Sequence, residues 1–349
     1  MHLGRALARV ALTGSHAASA TILSGFGRPF GLAQDLDENL LVTDMDLHAV
    51  FRFSDDLTRV TLFGAGERDG TFAVREGTIG RAPACEPRLL NGPHAVAVAT
   101  DGSLYVTTYY EPAICVFDTE GALVAKIAIN GSPIALRGPA TAFFDASERL
   151  LVSEFSMNAI LALTPDGDYL GGLGWSGGRA VRFARVSSFS ASSEPGGFNG
   201  PHMCRQSPDG FLVVADTWNH RLQRFAPDGS WAGSLGASGT KDGDGRWCHD
   251  PGHAAPSAAP GRLHAPVAVG WSDSRQLVVT DWGNNRLQIF DPDVSVPLIL
   301  DGLGLDRPYD AQFLGNRLCI ADSHHGRVLI LDAGELPPPP AAGESLSAN

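Results

Sequence analysis

At 349 residues with 44% hydrophobic content, the chain can bury one large core or two smaller ones. Only 18% of its residues are charged and the formal net charge is -12, which argues against phosphate-backbone binding and so against nucleic acid as a partner. No apolar run reaches the roughly 18 residues needed to span a bilayer, so no membrane segment is expected.

The N-terminus, MHLGRALARVALTGSHAASA, has a basic start and an Ala-x-Ala-like end. Its apolar centre is short and broken by Thr, Gly and His. A cytoplasmic location is therefore favoured, with a signal peptide left open. Cys115, Cys204 and Cys319 fall on expected strands as buried thiols, whereas Cys85 and Cys248 fall in loops and are free to pair. An odd count of five cysteines suits a reducing compartment.

From there the chain repeats itself. Each of six prolines, Pro29, Pro93, Pro139, Pro201, Pro266 and Pro308, opens a short apolar strand. By subtraction they stand 64, 46, 62, 65 and 42 residues apart. The short spacings match the ~40–45 residues of a four-stranded propeller blade, and the long ones are the same unit with an insertion. Asn199–Phe225, NGPHMCRQSPDGFLVVADTWNHRLQRF, is the clearest copy: strand, Asp-Gly turn, strand, polar turn, strand. Blade 6 lacks a fourth strand, and an unused run, Ala20–Leu23, precedes blade 1. The N-terminal strand is thus expected to complete the last blade and close the ring. The expected fold class is all-β, a six-bladed β-propeller over residues 1–335, followed by a disordered Pro-rich tail at 336–349.

The turns DTWNHRL (Asp216–Leu222), DWGNNRL (Asp281–Leu287) and DSHHGRV (Asp322–Val328) resemble the NHL repeat, and the resemblance extends along essentially the whole chain. It implies a six-bladed propeller. Because the Asp216, Asn219, Arg221 set recurs as Asp281, Asn284, Arg286 and partly as Asp322, Arg327, it reads as architecture: Asx residues shape turns and the Arg pairs with a carboxylate.

Function is sought where the copies differ. The residue after each proline should lie near one mouth of the channel: Phe30, His94, Ala140, His202, Val267 and Tyr309. The polar ones fall on blades 2, 4 and 6, so His94, His202 and Tyr309 should converge from three directions, as a metal with three protein ligands and open positions requires. Imidazole is the commonest ligand and phenolate suits zinc, iron or copper. Tyr309 serves alternatively as an acid or base, and His264 is a rival third ligand. Gly-Pro-His at 92–94 and 200–202 also resembles the NHL-type propeller lyases of peptide amidation, which bind zinc through three Pro-His histidines on alternate blades. Tyr309 departs from that pattern, and the family's catalytic Tyr position is Ser156 here, with Tyr110 as a possible substitute one blade earlier.

Further candidates follow from broken pattern. Arg205 and Asp310 are polar on normally apolar innermost strands and are expected to pair. His48, Tyr110, Glu111 and His324 are candidate acids or bases in the turns. Cys248, His249 and His253 have loose metal-site spacing but lack a fourth ligand, and so read as a loop. Long loops enter blades 2 (65–90), 4 (174–198) and 5 (236–263) and could form lids over the mouth. Two functions remain. One is a divalent-metal-dependent lyase or hydrolase acting on a small molecule or peptide. The other is a non-enzymatic scaffold that binds a peptide or protein partner.

Overall fold

The computed structural model describes residues 10–11, 19–65, 70–73, 89–236, 247–248, 255–293 and 296–337. Six antiparallel sheets follow one another around a central axis. The innermost strands are Pro29–Gln34, Pro93–Val98, Pro139–Phe144, Pro201–Gln206, Val269–Trp271 and Pro308–Leu314. Each touches the next, and the last touches the first. Ser19–Ser24 pairs with Arg327–Asp332 as the fourth strand of blade 6, with Ala20 opposite Leu331 and Leu23 opposite Val328. The ring closes as the sequence implies, leaving blade 6 no open edge where its fourth strand was missing.

The core is distributed. Second strands such as Leu40–Asp44 and Leu212–Asp216 are buried along their whole length, because each blade is covered on both faces by its neighbours. The apolar side chains accordingly form six clusters, one at each junction between blades. Phe51, Phe53 and Val328 pack blade 1 on blade 6. Phe198, Phe225 and Leu151 pack blade 4 on blade 3. Cys115, Cys204 and Cys319 are buried within these junctions. Among the described residues no helix is long and apolar enough to cross a membrane.

Three short outer strands were not anticipated. Val10–Ala11 extends blade 6, Gly70–Ala73 extends blade 1, and Arg179–Ala184 extends blade 3. The last of these corrects the lid expectation for the loop into blade 4. Residues 179–184 run along the outer edge of blade 3, and residues 192–199 return as a strap bonded to the blade 4 turn. The loops into blades 2 and 5 lie largely outside the described residues, as do Cys85, His249, His253 and the tail from 338. Leu336 packs on the cluster between blades 5 and 6.

The recurring turn residues are structural, in a specific way. Asp216, fully buried, accepts hydrogen bonds from Asn219 Nδ2, Arg221 Nε at 2.9 Å, Gln223 Nε2 at 2.9 Å and the Asn199 backbone N–H at 2.8 Å. Arg221 and Gln223 donate in turn to the carbonyl of Gly197. Asp281, Asn284, Arg286 and Gln288 repeat the arrangement on the strap entering blade 5. Each carboxylate thus binds its own blade's turn to the segment that enters that blade. Breaking a buried ion pair from one side costs about 3–5 kcal/mol, while an exposed pair is worth at most about 1 kcal/mol. Arg221→Ala should therefore lower unfolding free energy in urea by about 3–5 kcal/mol. Arg317→Ala, which breaks the exposed 2.7 Å pair with Asp55, should change it by no more than about 1 kcal/mol.

Candidate functional site

The carboxylates that close the turns also aim the strand openings. Asp44 accepts from the N–H groups of Gly27 (2.7 Å) and Arg28 (3.1 Å), and Glu154 accepts from Gly138 (2.7 Å). A second tie comes from the preceding blade. The left-handed residue ending its turn accepts the N–H just before the next proline: His48 Nδ1 from Gly92 at 3.0 Å, Asn158 Oδ1 from Gly200 at 2.8 Å, His220 Nδ1 from Ala265 at 3.0 Å, and Asn285 Oδ1 from Arg307 at 2.9 Å. Directly after the proline the pairing register shifts in five blades. Such a bulge bends the strand and re-aims a side chain. Here it turns the residue after the proline onto the axis.

Four of those residues meet. The rings of His94 and His202 have centroids 4.9 Å apart, and Tyr309 stands 5.0 Å from His202 and 5.8 Å from His94. Phe30 packs 3.8 Å from Tyr309 and 4.7 Å from His94. The convergence expected from the spacing of the prolines is present. Both histidine carbonyls are pinned by hydroxyls of the preceding blade, Thr43 Oγ1 donating to His94 O at 2.9 Å and Ser153 Oγ to His202 O at 2.5 Å.

A second ring surrounds the first and was missed in the sequence. It consists of the residue immediately after each turn carboxylate or its replacement: Met45, Tyr109, Phe155, Thr217 and Trp282 all line the mouth. In blades 4 and 6 this position is a hydroxyl that donates to the next blade's proline carbonyl: Thr217 to Pro266 at 2.8 Å, and Ser323 to Pro29. In blades 2, 3 and 5 it is aromatic and fills the mouth. Trp218 and Arg28 complete the wall of a pocket of about 170 Å³. Gly200, at φ 59°, is required beside it, because a Cβ there would meet the Trp218 ring at 2.5 Å.

The three ionisable rings that meet at the axis are held in their neutral forms. Burial pushes His94 down to about 3, against the pull of its hydrogen bond to the Ala140 backbone. Burial likewise holds His202 well below the usual imidazole range, and Nδ1 of His202 is buried without a hydrogen-bond partner. Tyr309 is pushed up to about 12 by burial and stays a phenol. Two neutral imidazoles are the form in which histidine binds a metal, and two that share one tetrahedral ion have ring centres roughly 5 Å apart. His94 and His202 therefore fit as a ligand pair. No group of three His, Cys, Asp or Glu side chains suited to a metal occurs among the described residues. Tyr309 and Tyr109, each 5.8 Å from His94 between ring centroids, are the phenols beside the two histidines.

The remaining candidates are placed as follows. Arg205 and Asp310 do pair, at 3.7 Å, in the channel, where Asp310 also accepts from Leu32 N–H and Gln312 Nε2. They do not line the mouth pocket. Tyr110 is half exposed and accepts from Arg28 Nη2 at 2.9 Å; Tyr109, its neighbour, is the one that faces the mouth. Glu111 lies in solvent 3.8 Å from Lys126, and His324 lies 3.8 Å from Asp306 at the surface. His48 serves the blade-to-blade tie. His264 packs 5.5 Å from His220, outside the pocket, so it is not placed as a third ligand. A larger cleft of about 440 Å³ lies between blades 4 and 5 at the opposite ends of the strands, lined by Trp271, Arg224 and Arg275 among others and, among the described residues, by no histidine.

Neutral buried histidines make a checkable demand on stability. The folded value for His94 is depressed, so below the unfolded value of about 6.5 the unfolded chain takes up a proton that the folded chain refuses until about pH 3. Stability from this group is complete above pH ~6.5 and is lost as pH falls through that window. The stability margin of wild type over His94→Gln, from urea midpoints, should shrink steadily from pH 7 to pH 4.

The NHL repeat model matches residues 198–225. No curated protein matches the sequence. Among solved structures, a catalytically inactive histidine-to-alanine variant of virginiamycin B lyase from Staphylococcus aureus, with quinupristin, is similar at TM-score 0.54 and 13% identity, over 90% of this chain and 98% of that one. A gluconolactonase from Xanthomonas campestris is similar at TM-score 0.56 and 14% identity, over 94% and 92%. The PQQ-bound aldose sugar dehydrogenase of Streptomyces coelicolor is similar at TM-score 0.54 and 16% identity, over 91% and 99%. At such identities the likeness is one of fold, and enzymes of several chemistries use it. With six blades in a closed ring, the chain is a six-bladed β-propeller, and it carries an NHL repeat at residues 198–225 in blade 4.

Proposed function

We propose that the mouth pocket is the active site of a metal-dependent lyase or hydrolase acting on a small molecule, with His94 and His202 holding the divalent cation. The observation that carries this reading is the buried, unpartnered Nδ1 of His202, in a neutral ring 4.9 Å from a second neutral imidazole. A buried nitrogen without a partner costs about 1–3 kcal/mol, a cost that a bound ion or substrate removes. Similar propellers described as a lyase and a gluconolactonase support an enzymatic reading. So does the loss of activity in the first when a histidine is replaced.

A divalent metal there supplies a Lewis acid for a substrate carbonyl or hydroxyl, or lowers the pKa of a bound water. The chain's own residues do the rest. The hydrogen bond to the Ala140 backbone orients the His94 ring and fixes which nitrogen faces the pocket. Tyr309, protonated at neutral pH, offers its hydroxyl as an oxygen donor or as a proton source to a developing oxyanion. Phe30, Phe155 and Tyr109 exclude water, which strengthens each polar contact inside. At about 170 Å³ the pocket is smaller than the roughly 300–1,000 Å³ of drug-sized sites, which favours a small molecule over a peptide.

Purified without chelators, the protein should carry a stoichiometric transition metal by elemental analysis, and His94→Ala/His202→Ala should carry almost none. A metal-free wild type that takes up no zinc, iron or copper, or equal metal in the double variant, contradicts the reading.

A further inference from the structure

A residue that lines the mouth pocket, Trp282, also has a buried nitrogen without a partner, its indole Nε1. The metal reading does not use it, because an indole N–H donates only and is no metal ligand. It calls for an acceptor atom on whatever occupies the pocket. Around it stand aromatic faces, chiefly Phe30, Phe155, Trp218 and Tyr309.

An aromatic box suits two kinds of occupant, a cation held over the π faces or a flat ring stacked between them. Charge separates the two. No Asp or Glu lines the pocket. One guanidinium, Arg28, sits on its wall 5.8 Å from the Phe30 centroid, and a second, Arg307, lies behind the lining at 4.9 Å from the Trp282 centroid. Asp46 neutralises Arg28 through contacts of 2.8 and 2.6 Å, but Arg307 has no ion-pair partner among the described residues. A ligand cation would meet like charge and find no acceptor-seeking role to fill. An anionic or carbonyl oxygen gives the indole N–H its acceptor and meets no carboxylate on the pocket walls. The volume of about 170 Å³ limits the body to roughly one ring.

We infer that the mouth pocket takes a single aromatic ring bearing a carboxylate or carbonyl oxygen, to which Trp282 Nε1–H donates. This rests on the mouth being a small-molecule site, and it makes Trp282 a specificity-determining residue whether or not a metal is bound.

Calorimetric titration of chelator-treated protein with benzoate and with benzyltrimethylammonium tests it, in wild type and in Trp282→Phe, with thermal melting as the check on folding. Benzoate should bind wild type, and bind Trp282→Phe about tenfold or more weakly, while benzyltrimethylammonium neither binds nor competes. Failure of benzoate to bind wild type, or binding of the cation as well as of benzoate, overturns the inference without use of any variant. Unchanged benzoate affinity in a folded Trp282→Phe overturns it as well. A protein that takes up metal but not benzoate keeps the metal-site reading and loses this one. A protein that binds benzoate through Trp282 yet holds no metal does the reverse.

Discussion

An aspartate buried at the end of a second strand has to be surrounded by donors, and in this propeller that requirement organises each blade that carries one. Asp216 and Asp281 are satisfied by an Arg, an Asn and a Gln of their own turn and by the backbone N–H of the strap that enters the blade. Such a group is expensive to bury and more expensive to leave half-paired. It therefore acts as a register pin: strap, turn and strand opening either all take their places or the charge is stranded. The apolar clusters at the six junctions supply most of the burial, but they are non-directional and would tolerate sliding. The carboxylate ties fix where each proline begins.

That fixation is what allows chemistry to appear at the axis. Once the proline is placed, the bulge behind it delivers the following side chain to the mouth. The hydroxyls of Thr43 and Ser153 then hold the histidine carbonyls from the neighbouring blades. The histidines sit on strands inside a closed ring, and their burial keeps them neutral without any acidic neighbour. Architecture and site thus share residues that are adjacent in sequence. Pro201 and Asp216 pair across two strands, while His202 and Thr217, one position on from each, face the pocket.

Much of this was legible in the chain. Repetition revealed the blades, and the exception to repetition revealed His94, His202 and Tyr309. The missing fourth strand of blade 6 pointed to the N-terminal strand. What escaped reading did so for a physical reason. Tyr109, Phe155 and Trp282 hold a position that in blades 4 and 6 is a small hydroxyl making a structural bond, so the position passed as scaffold. Its variation in size was the available signal. Tyr110 is singled out in the sequence because it holds, one blade earlier, the turn position equivalent to Ser156, whereas it is the preceding residue, Tyr109, that faces the mouth. His48 looked catalytic as a histidine in a turn, yet its left-handed backbone and acceptor Nδ1 place it with Asn158 and Asn285 as a tie between blades. The outer strand Arg179–Ala184 was hidden in a Gly-rich loop with no clear two-residue alternation.

The central claim is that two buried, neutral imidazoles face one another in the mouth with a lone pair available for a ligand. Nitrogen-15 NMR of the imidazole rings, assigned through His94→Gln and His202→Gln and recorded at pH 6 before and after one equivalent of zinc, tests it most directly. The account predicts both rings neutral before addition and a shift of one ring nitrogen in each upon it. A protonated ring at pH 6, or two spectra that zinc leaves unchanged, would contradict it.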